Sequence, residues 1–559
     1  MKGSANRRRT LSLHSAALFL LVALVSQALA GAFGPDITAS PDDPSHFMSG
    51  LMVRDYLAHG LGEPPMAFAR DYYSHYPKIA IGNWPPLFHV VQGVWLLVLP
   101  VSGASVFVLL AIMAAATAWL VFRATRPALG APFALLGAIV FLLLRPVPHF
   151  TAMVMAEVPL TLASTIAALA WARYMAGGGT RRAAAFALCA LLAVLIKANG
   201  LLLLLVPPLA AIIGGRWRVL RSRAFWGAAL AVLVVVVPLL WFSLPIMRAG
   251  WASSHALLGD VGAASRYYLW GLLRRLGPVL AALAAWGAWT RLRGRPSGDV
   301  AAIALWSTAA AMVLATLAFH VAAPAGRDLR HMIPAHPFIA MFVAAGAREL
   351  CGALRRVLRH EVAATAVAVA IAAAALSLES FPIHDSHLRG FGAAAEMVVE
   401  RAAARGTPAD SAVVLVSSDA TGEGAMVVEM ALRDDSRPHD VVWRATKLLA
   451  DVTWAGRDYT EQTADGEELL RLLDQASVEW VVIDHSSERF PHQRSLREAV
   501  AAHPDRFALV GVIPVRRDRE DFPDGIRVYD FVRDTTSPAD SLLRQVPGYE
   551  GIEWIARGG

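Results

Sequence analysis

The apolar positions of this chain come in long blocks, with few short alternations before residue 380. Runs of about 17–25 apolar residues can cross a bilayer as helices. Such runs fall near residues 11–33, 103–123, 131–145, 157–175, 183–197, 199–213, 225–245, 268–289, 300–321, 331–347 and 362–379, with the two shortest flanking Lys197. They predict about eleven transmembrane helices. The run "PPLFHVVQGVWLLVLP", residues 85–100, is short for a span and has prolines at both ends. It reads as an interfacial helix, with Trp84 and Trp95 suited to the headgroup region.

Beyond Ser380 the pattern changes. "AVVLVSS", "HDVVWRAT", "VEWVVID", "FALVGVIPV" and "GIRVYDFV" are strand-like, whereas "TGEGAMVVEMALRDD", "EELLRLLDQA" and "SLREAVAAHP" carry helical spacing. Alternation of this kind predicts a sheet covered by helices. The predicted architecture is a polytopic α-helical membrane protein with a C-terminal soluble α/β domain. Residues 1–380 form the membrane domain, with a first external loop at 34–83, and residues 381–559 form the soluble domain. Gly422 and Gly424 in "SSDATGEGA" sit between a strand and a helix. With no full phosphate-loop pattern around them, a tight turn is the better reading.

Composition agrees. The chain is 56% hydrophobic and 17% charged, with a mean hydropathy of +0.48. The net charge of +7 is unevenly distributed. Up to residue 380 there are 31 basic and 13 acidic residues; after it there are 20 and 31. The basic excess belongs to the membrane half, so it argues for cytoplasmic loops and not for nucleic acid. Two cysteines, Cys189 and Cys351, make neither a disulfide framework nor a zinc cluster.

The basic residues also predict orientation. Arg7, Arg8 and Arg9 precede the first span, and every second loop after it is basic: Arg123 and Arg126; Arg173, Arg181 and Arg182; Arg216, Arg218, Arg221 and Arg223; Arg291, Arg293 and Arg295; then "GARELCGALRRVLRH". The N-terminus is therefore expected in the cytoplasm of a plasma (inner) membrane protein. The first segment also has the basic start, apolar run and Ala-Leu-Ala end of a cleavable signal peptide. Either reading leaves the sidedness of the remainder unchanged. The loop 34–83, the turn around Glu157, Lys197, the segment 246–266, "PAGRDLRH" and the tail are all expected outside.

Six of the 13 early acids lie in that first loop, with Asp42 and Asp43 adjacent in "PDDPSHFMSG". Glu157 opens a membrane helix, where an acid is either a dipole cap or a functional group. Lys197 interrupts "LLAVLIKANGLLLLLVPP", either snorkelling to the interface or meeting an anion. Arg330 in "GRDLRHMIPAHP" offers the planar fork that suits phosphate. His331 and His336 lack the spacing of a ligand set. His46, Tyr76, Lys78 and Trp84 supply aromatics and a cation that either grip a sugar or lipid phosphate or form an interface belt. Pro44 predicts extended backbone at Asp43, so that the two carboxylates diverge.

In order and sidedness, "PDDPSHFMSG", "YPKIAIGNWPPLFHVVQGVWLLV", "AEVPLTLASTIAALAWARYM", "IKANGLLLLLVPPLAAII" and "RDLRHMIPAHPFIAMFVAAGA" resemble the GT-C superfamily of integral membrane glycosyltransferases. The nearest likeness is to the protein O-mannosyltransferase and lipid A aminoarabinose transferase branch, including RgtA/B/C/D-like enzymes. The resemblance covers about residues 10–350 and departs from the family where His331 replaces the usual Tyr after Arg330. It implies a polyprenyl-phosphate sugar donor and a lipid, glycan or protein acceptor. Asp42 would be the catalytic base with Asp43 beside it, or the reverse. Lys197 and Arg330 would hold the lipid phosphate, and Glu157 would position the acceptor or a divalent cation. A transporter or flippase, or a scaffold with a partner-binding tail, are the alternative classes.

Overall fold

The computed structural model describes residues 2–251, 261–293, 299–322, 327–405, 412–452, 459–463 and 465–534, without the side chains of 2–12 and 244–251. The side chains of Arg7, Arg8 and Arg9, all of Arg295, and residues 252–260 of the predicted external segment lie outside this set. The chain divides into two compact units.

The first unit comprises Met1–Ala30, Val108–Trp241 and Ser253–His384. Helices stand where the apolar blocks predict them: Lys2–Leu29, Gly103–Leu129, Ala131–Leu143, Glu157–Gly177, Thr180–Ile196, Val206–Gly214, Arg223–Trp251, Val261–Arg293, Val300–Ala322, His336–Leu358 and Glu361–Ser380. Among the described residues, five helical stretches have the length and apolarity to cross a membrane: Gly103–Leu129, Arg223–Ser243, Val300–Ala322, Leu329–Leu358 and Glu361–Ser380. Trp226, Leu230, Val234, Val237 and Trp241 are exposed along one of them, a surface suited to lipid. Small residues set the closest packing. A Cβ on Gly287 would lie 2.1 Å from Phe342 O, and one on Gly346 would lie 2.0 Å from Leu283 O. Only glycine lets these two helix backbones approach so far. The helix Val261–Arg293 bends at Gly277, with φ of 66°, immediately before Pro278.

The second unit comprises Gly31–Phe107, Phe242–Ala252 and Asp385–Gly559. This differs from a division at residue 380: the first external loop belongs with the tail. The reason is a set of buried polar ties. Asp36 accepts from Gly392 N at 2.5 Å and Gly390 N at 3.1 Å, while Arg389 donates to Gly31 O and Asp36 O. The helices Asp43–Asp55 and Leu87–Val98 pack together through glycine, with Gly50 against Gln92 and Gly93 against Val53. The run 85–100 thus folds as a short helix.

The tail has the α/β alternation that its sequence predicts. Its strands are β1 (Val413–Ser417), β2 (Val441–Arg444), β3 (Ala450–Asp451), β4 (Thr460–Glu461), β5 (Trp480–Asp484), β6 (Phe507–Arg517) and β7 (Glu520–Phe531). The main sheet has the order β2-β1-β5-β7-β6, parallel through β2, β1 and β5 and antiparallel beyond, while β3 and β4 form a separate pair. The apolar positions of β1, β2 and β5 are buried on both faces, as parallel strands require. Asp518 and Arg519, both with positive φ, make the two-residue turn of the β6–β7 hairpin.

Candidate active site

In the first unit, three separate segments bring ionisable groups together. Glu157 opens its helix and is 2% exposed. Lys197 stands at the break between the helix Thr180–Ile196 and the 3-10 turn Ala198–Leu204, with extended φ/ψ of −155° and 137°. That break turns Lys197 Nζ onto Glu157 Oε1 at 2.5 Å. Arg330 comes from the 3-10 turn Leu329–Ala335, whose N-cap Asp328 accepts from Arg330 N at 2.8 Å. Arg330 Nε lies 3.5 Å from Glu157 Oε1 and 3.2 Å from Asp328 Oδ2. Glu157 therefore accepts from Lys197 and is ion-paired with Arg330, and its Oε2 is buried without a hydrogen bond.

Three further groups that the sequence reading passed over join this cluster. His320 stacks on His331 at 4.8 Å with ring planes 13° apart, and Tyr268 Oη lies 3.4 Å from His331 Nδ1. His320 is electrostatically coupled to Lys197 and Glu157. Arg275 is coupled to Asp328 and holds a buried Nη1 without a hydrogen bond. A signal for both was present: a histidine in "LATLAFHVA" and paired arginines in "WGLLRRLGP" are ionisable residues inside apolar blocks. Lys197, Arg330 and Arg275 outnumber Glu157 and Asp328, so the cluster carries a net positive charge. No group of three metal-ligating side chains occurs among the described residues.

In the second unit, Asp42 and Asp43 meet different surroundings. Asp42 is the N-cap of the helix Asp43–Asp55 and stays half-buried. Asp43 is 1% exposed; its carboxylate accepts from Ala39 N at 2.9 Å, Ser40 N at 3.0 Å and Ser40 Oγ at 3.1 Å. Burial pushes its carboxyl up to about 7 against those hydrogen bonds. Asp43 is helical, contrary to the extended backbone expected before Pro44, because Pro44 occupies the first turn, where its missing N–H costs no helical bond. The carboxylates nevertheless have different environments: Asp43 ties down the turn before it.

The aromatic and cationic candidates are largely interior. His46 is 1% exposed, stacks on Trp84 at 4.1 Å and places Nδ1 3.0 Å from His89 Nε2. Trp84 is half-buried. Tyr76 is walled in completely and donates to Asp434 Oδ2 at 2.5 Å, which leaves its ring no open face for a ligand. Lys78 is 3% exposed; burial, with Arg444 nearby, pulls its amine down to about 7 against Asp42 and Glu423. Beside it, Glu423 accepts from Arg444 Nε at 3.0 Å, Thr446 N at 2.9 Å and the Thr446 hydroxyl. The "TGEG" turn is also explained: a Cβ on Gly424 would lie 2.7 Å from Pro44 Cγ and 2.8 Å from Lys78 Cε. These glycines permit close packing, and in their own turn the N-cap carboxylate of Asp419 accepts from Thr421 N and Gly422 N.

The chain is similar in structure, over most of its length, to ArnT from Cupriavidus metallidurans. The match to the apo state has 14% identity, 94% coverage of this chain, 99% of that chain and a TM-score of 0.53. The match to ArnT bound to undecaprenyl phosphate has 15% identity, the same coverages and a TM-score of 0.54. Archaeal oligosaccharyltransferase AglB from Archaeoglobus fulgidus, in complex with an inhibitory peptide and a dolichol-phosphate, matches at 10% identity and a TM-score of 0.51, with 90% of this chain and 73% of that chain covered. No family model matches the sequence. No curated protein matches it. At these identities the likeness is one of fold.

Proposed function

We propose that this protein is a glycosyltransferase of a plasma (inner) membrane. It moves a hexosyl or pentosyl group from a polyprenyl-phosphate donor to a lipid, glycan or protein acceptor at the extracytoplasmic face. The N-terminus is cytoplasmic in this reading, as the basic loops suggest. The observation that carries the reading is the cluster of Lys197, Arg330 and Arg275 around Glu157 and Asp328, with the Arg275 Nη1 donor buried and unmatched. A net positive, partly desolvated cluster among membrane helices suits a lipid-borne phosphate. The fold likeness to ArnT bound to undecaprenyl phosphate and AglB with dolichol-phosphate supports the same donor class.

The reaction follows from these roles. An acceptor hydroxyl attacks the anomeric carbon of the sugar. The bond from that carbon to the phosphate oxygen breaks, and its electron pair leaves with the polyprenyl phosphate. Lys197, Arg330 and Arg275 stabilise the anion that departs. Asp42, the half-buried member of its pair, takes the proton of the hydroxyl as general base. Glu157 holds the two cations that reach it in place. His46 and Lys78 act through the packing around Asp42, and Trp84 offers the half-open ring for a sugar face.

The test is transfer of a labelled sugar from a polyprenyl-phosphate donor by membranes carrying Asp42→Asn. Expression with loss of transfer supports the assignment; full activity removes Asp42 from the chemistry. Lys197→Met and Arg275→Met in the same assay are expected to raise the donor KM.

A further inference from the structure

We propose that the first unit carries a separate site for the anionic headgroup of a phospholipid, at the far end of the helix Glu157–Gly177 from Glu157. Arg173 lies sixteen residues along that helix, or about 24 Å. There the helices Gly103–Leu129, Glu157–Gly177 and Val300–Ala322 line a half-open groove of about 270 Å³. Its lining includes Trp119, Arg123, Leu169, Arg173, Ala176 and Leu305.

Charge and shape select the occupant. Two arginines line a groove whose remaining wall is mostly Leu and Ala. Arg123 and Arg173 are both exposed, and neither has a carboxylate partner among the described residues. Asp299, two residues before the groove-lining Ala301, caps its own helix, accepting from Ala302 N at 2.9 Å. Arg123 rests 5.1 Å above the Trp119 ring, which holds its charge at the rim. A soluble anion would gain nothing from the apolar wall, and an uncharged lipid would gain nothing from the arginines. An anionic phospholipid uses both, with its phosphate on the paired forks and its chains along the outer helix faces. The volume is below the range of about 300–1,000 Å³ typical of pockets that enclose a drug-sized ligand. It suits a headgroup with the chains outside. Arg123 and Arg173 lie towards the C-terminal ends of their helices, in basic stretches that predict the cytoplasmic side, where an anionic leaflet would supply the ligand.

The site is independent of the transfer reaction, so binding is read with no sugar donor present. The full chain in detergent is titrated with dioleoyl-phosphatidylglycerol or dioleoyl-phosphatidylcholine, and bound lipid is counted by native mass spectrometry. The wild type is expected to prefer phosphatidylglycerol by on the order of tenfold, and Arg123→Gln/Arg173→Gln to lose that preference. Leu305→Trp, which fills the groove and leaves both charges, is expected to lose it too. Arg218→Gln/Arg221→Gln, outside the groove, is expected to keep it. Equal binding of the two lipids by the wild type, or an undiminished preference in the groove variants, overturns the proposal. So does displacement of phosphatidylglycerol by equimolar inorganic phosphate, which would assign the groove to a soluble anion.

Discussion

Lys197 Nζ donates to Glu157 Oε1 at 2.5 Å across forty residues of sequence, and both side chains are buried. Removing one partner of a buried ion pair strands the other charge, which costs about 3–5 kcal/mol. Glu157→Gln and Lys197→Met are each expected to destabilise the protein on that scale. The double variant should lose clearly less than their sum, because it strands neither charge. Denaturant unfolding of the four proteins in detergent checks this. Additivity within about 0.5 kcal/mol would mean the two groups do not interact.

Asp42 and Asp43 are expected to separate cleanly in a paired experiment. Asp43→Asn keeps one acceptor oxygen for the turn at Ala39 and Ser40 but loses its charge. The expected cost is about 1–2 kcal/mol of stability, with turnover per folded molecule retained. Asp42→Asn is expected to melt like the wild type and to lose about 100-fold or more in kcat. Transfer kinetics normalised to folded protein decide the matter. The reverse pattern would move the base to Asp43.

Lys78 gives a pH signature. Its amine is pulled from 10.5 down to about 7 by burial, so between these values the unfolded chain binds the extra proton. Stability must then rise with pH from about 7 towards 10.5 and be flat, at its lower level, below 7. Lys78→Met removes the group that titrates. The variant is expected to be more stable than the wild type at pH 7 and below, by on the order of a few kcal/mol, with the gap closing towards pH 10. Thermal melts across this range test the sign. A gap that widens with pH would place the Lys78 amine above its ordinary range.

Much of this fold is legible in the chain because bilayer thickness and strand alternation impose periods that a sequence must carry. The apolar blocks from 103–123 to 362–379 coincide with helices, and the strand-like runs after Ser380 become β1, β2, β5, β6 and β7. The joining of loop 34–83 to the tail is not legible. It rests on single pairs such as Tyr76 with Asp434 and Asp55 with Arg437, separated by more than 350 residues. A loop acid looks the same in sequence whether it faces solvent or a distant arginine. Tyr76 illustrates this: its aromatic neighbours suggested a ligand grip, and a carboxylate beyond residue 430 turned it inward. The same limit applies to Arg275 and His320: their place inside apolar blocks is visible in the sequence, but the groups that face them are not.

Gly424 connects the tail to the acidic pair, and the connection can be measured. A methyl group at this position would lie 2.7 Å from Pro44 Cγ and 2.8 Å from Lys78 Cε. Lys78 is flexible but buried, and the Pro44 ring is rigid, so Gly424→Ala must displace the first turn of the helix that Asp42 caps. Overpacking of this kind costs about 1–3 kcal/mol. Gly352→Ala, exposed on its helix with nothing within 4 Å of the added carbon, should instead stabilise by about 0.5–1 kcal/mol through helix propensity. Transfer should fall in Gly424→Ala by more than its folded fraction explains, because the Asp42 backbone leads directly into the displaced turn. Loss of stability with full turnover per folded molecule would mean that the tail supports the acidic loop without setting the position of its base.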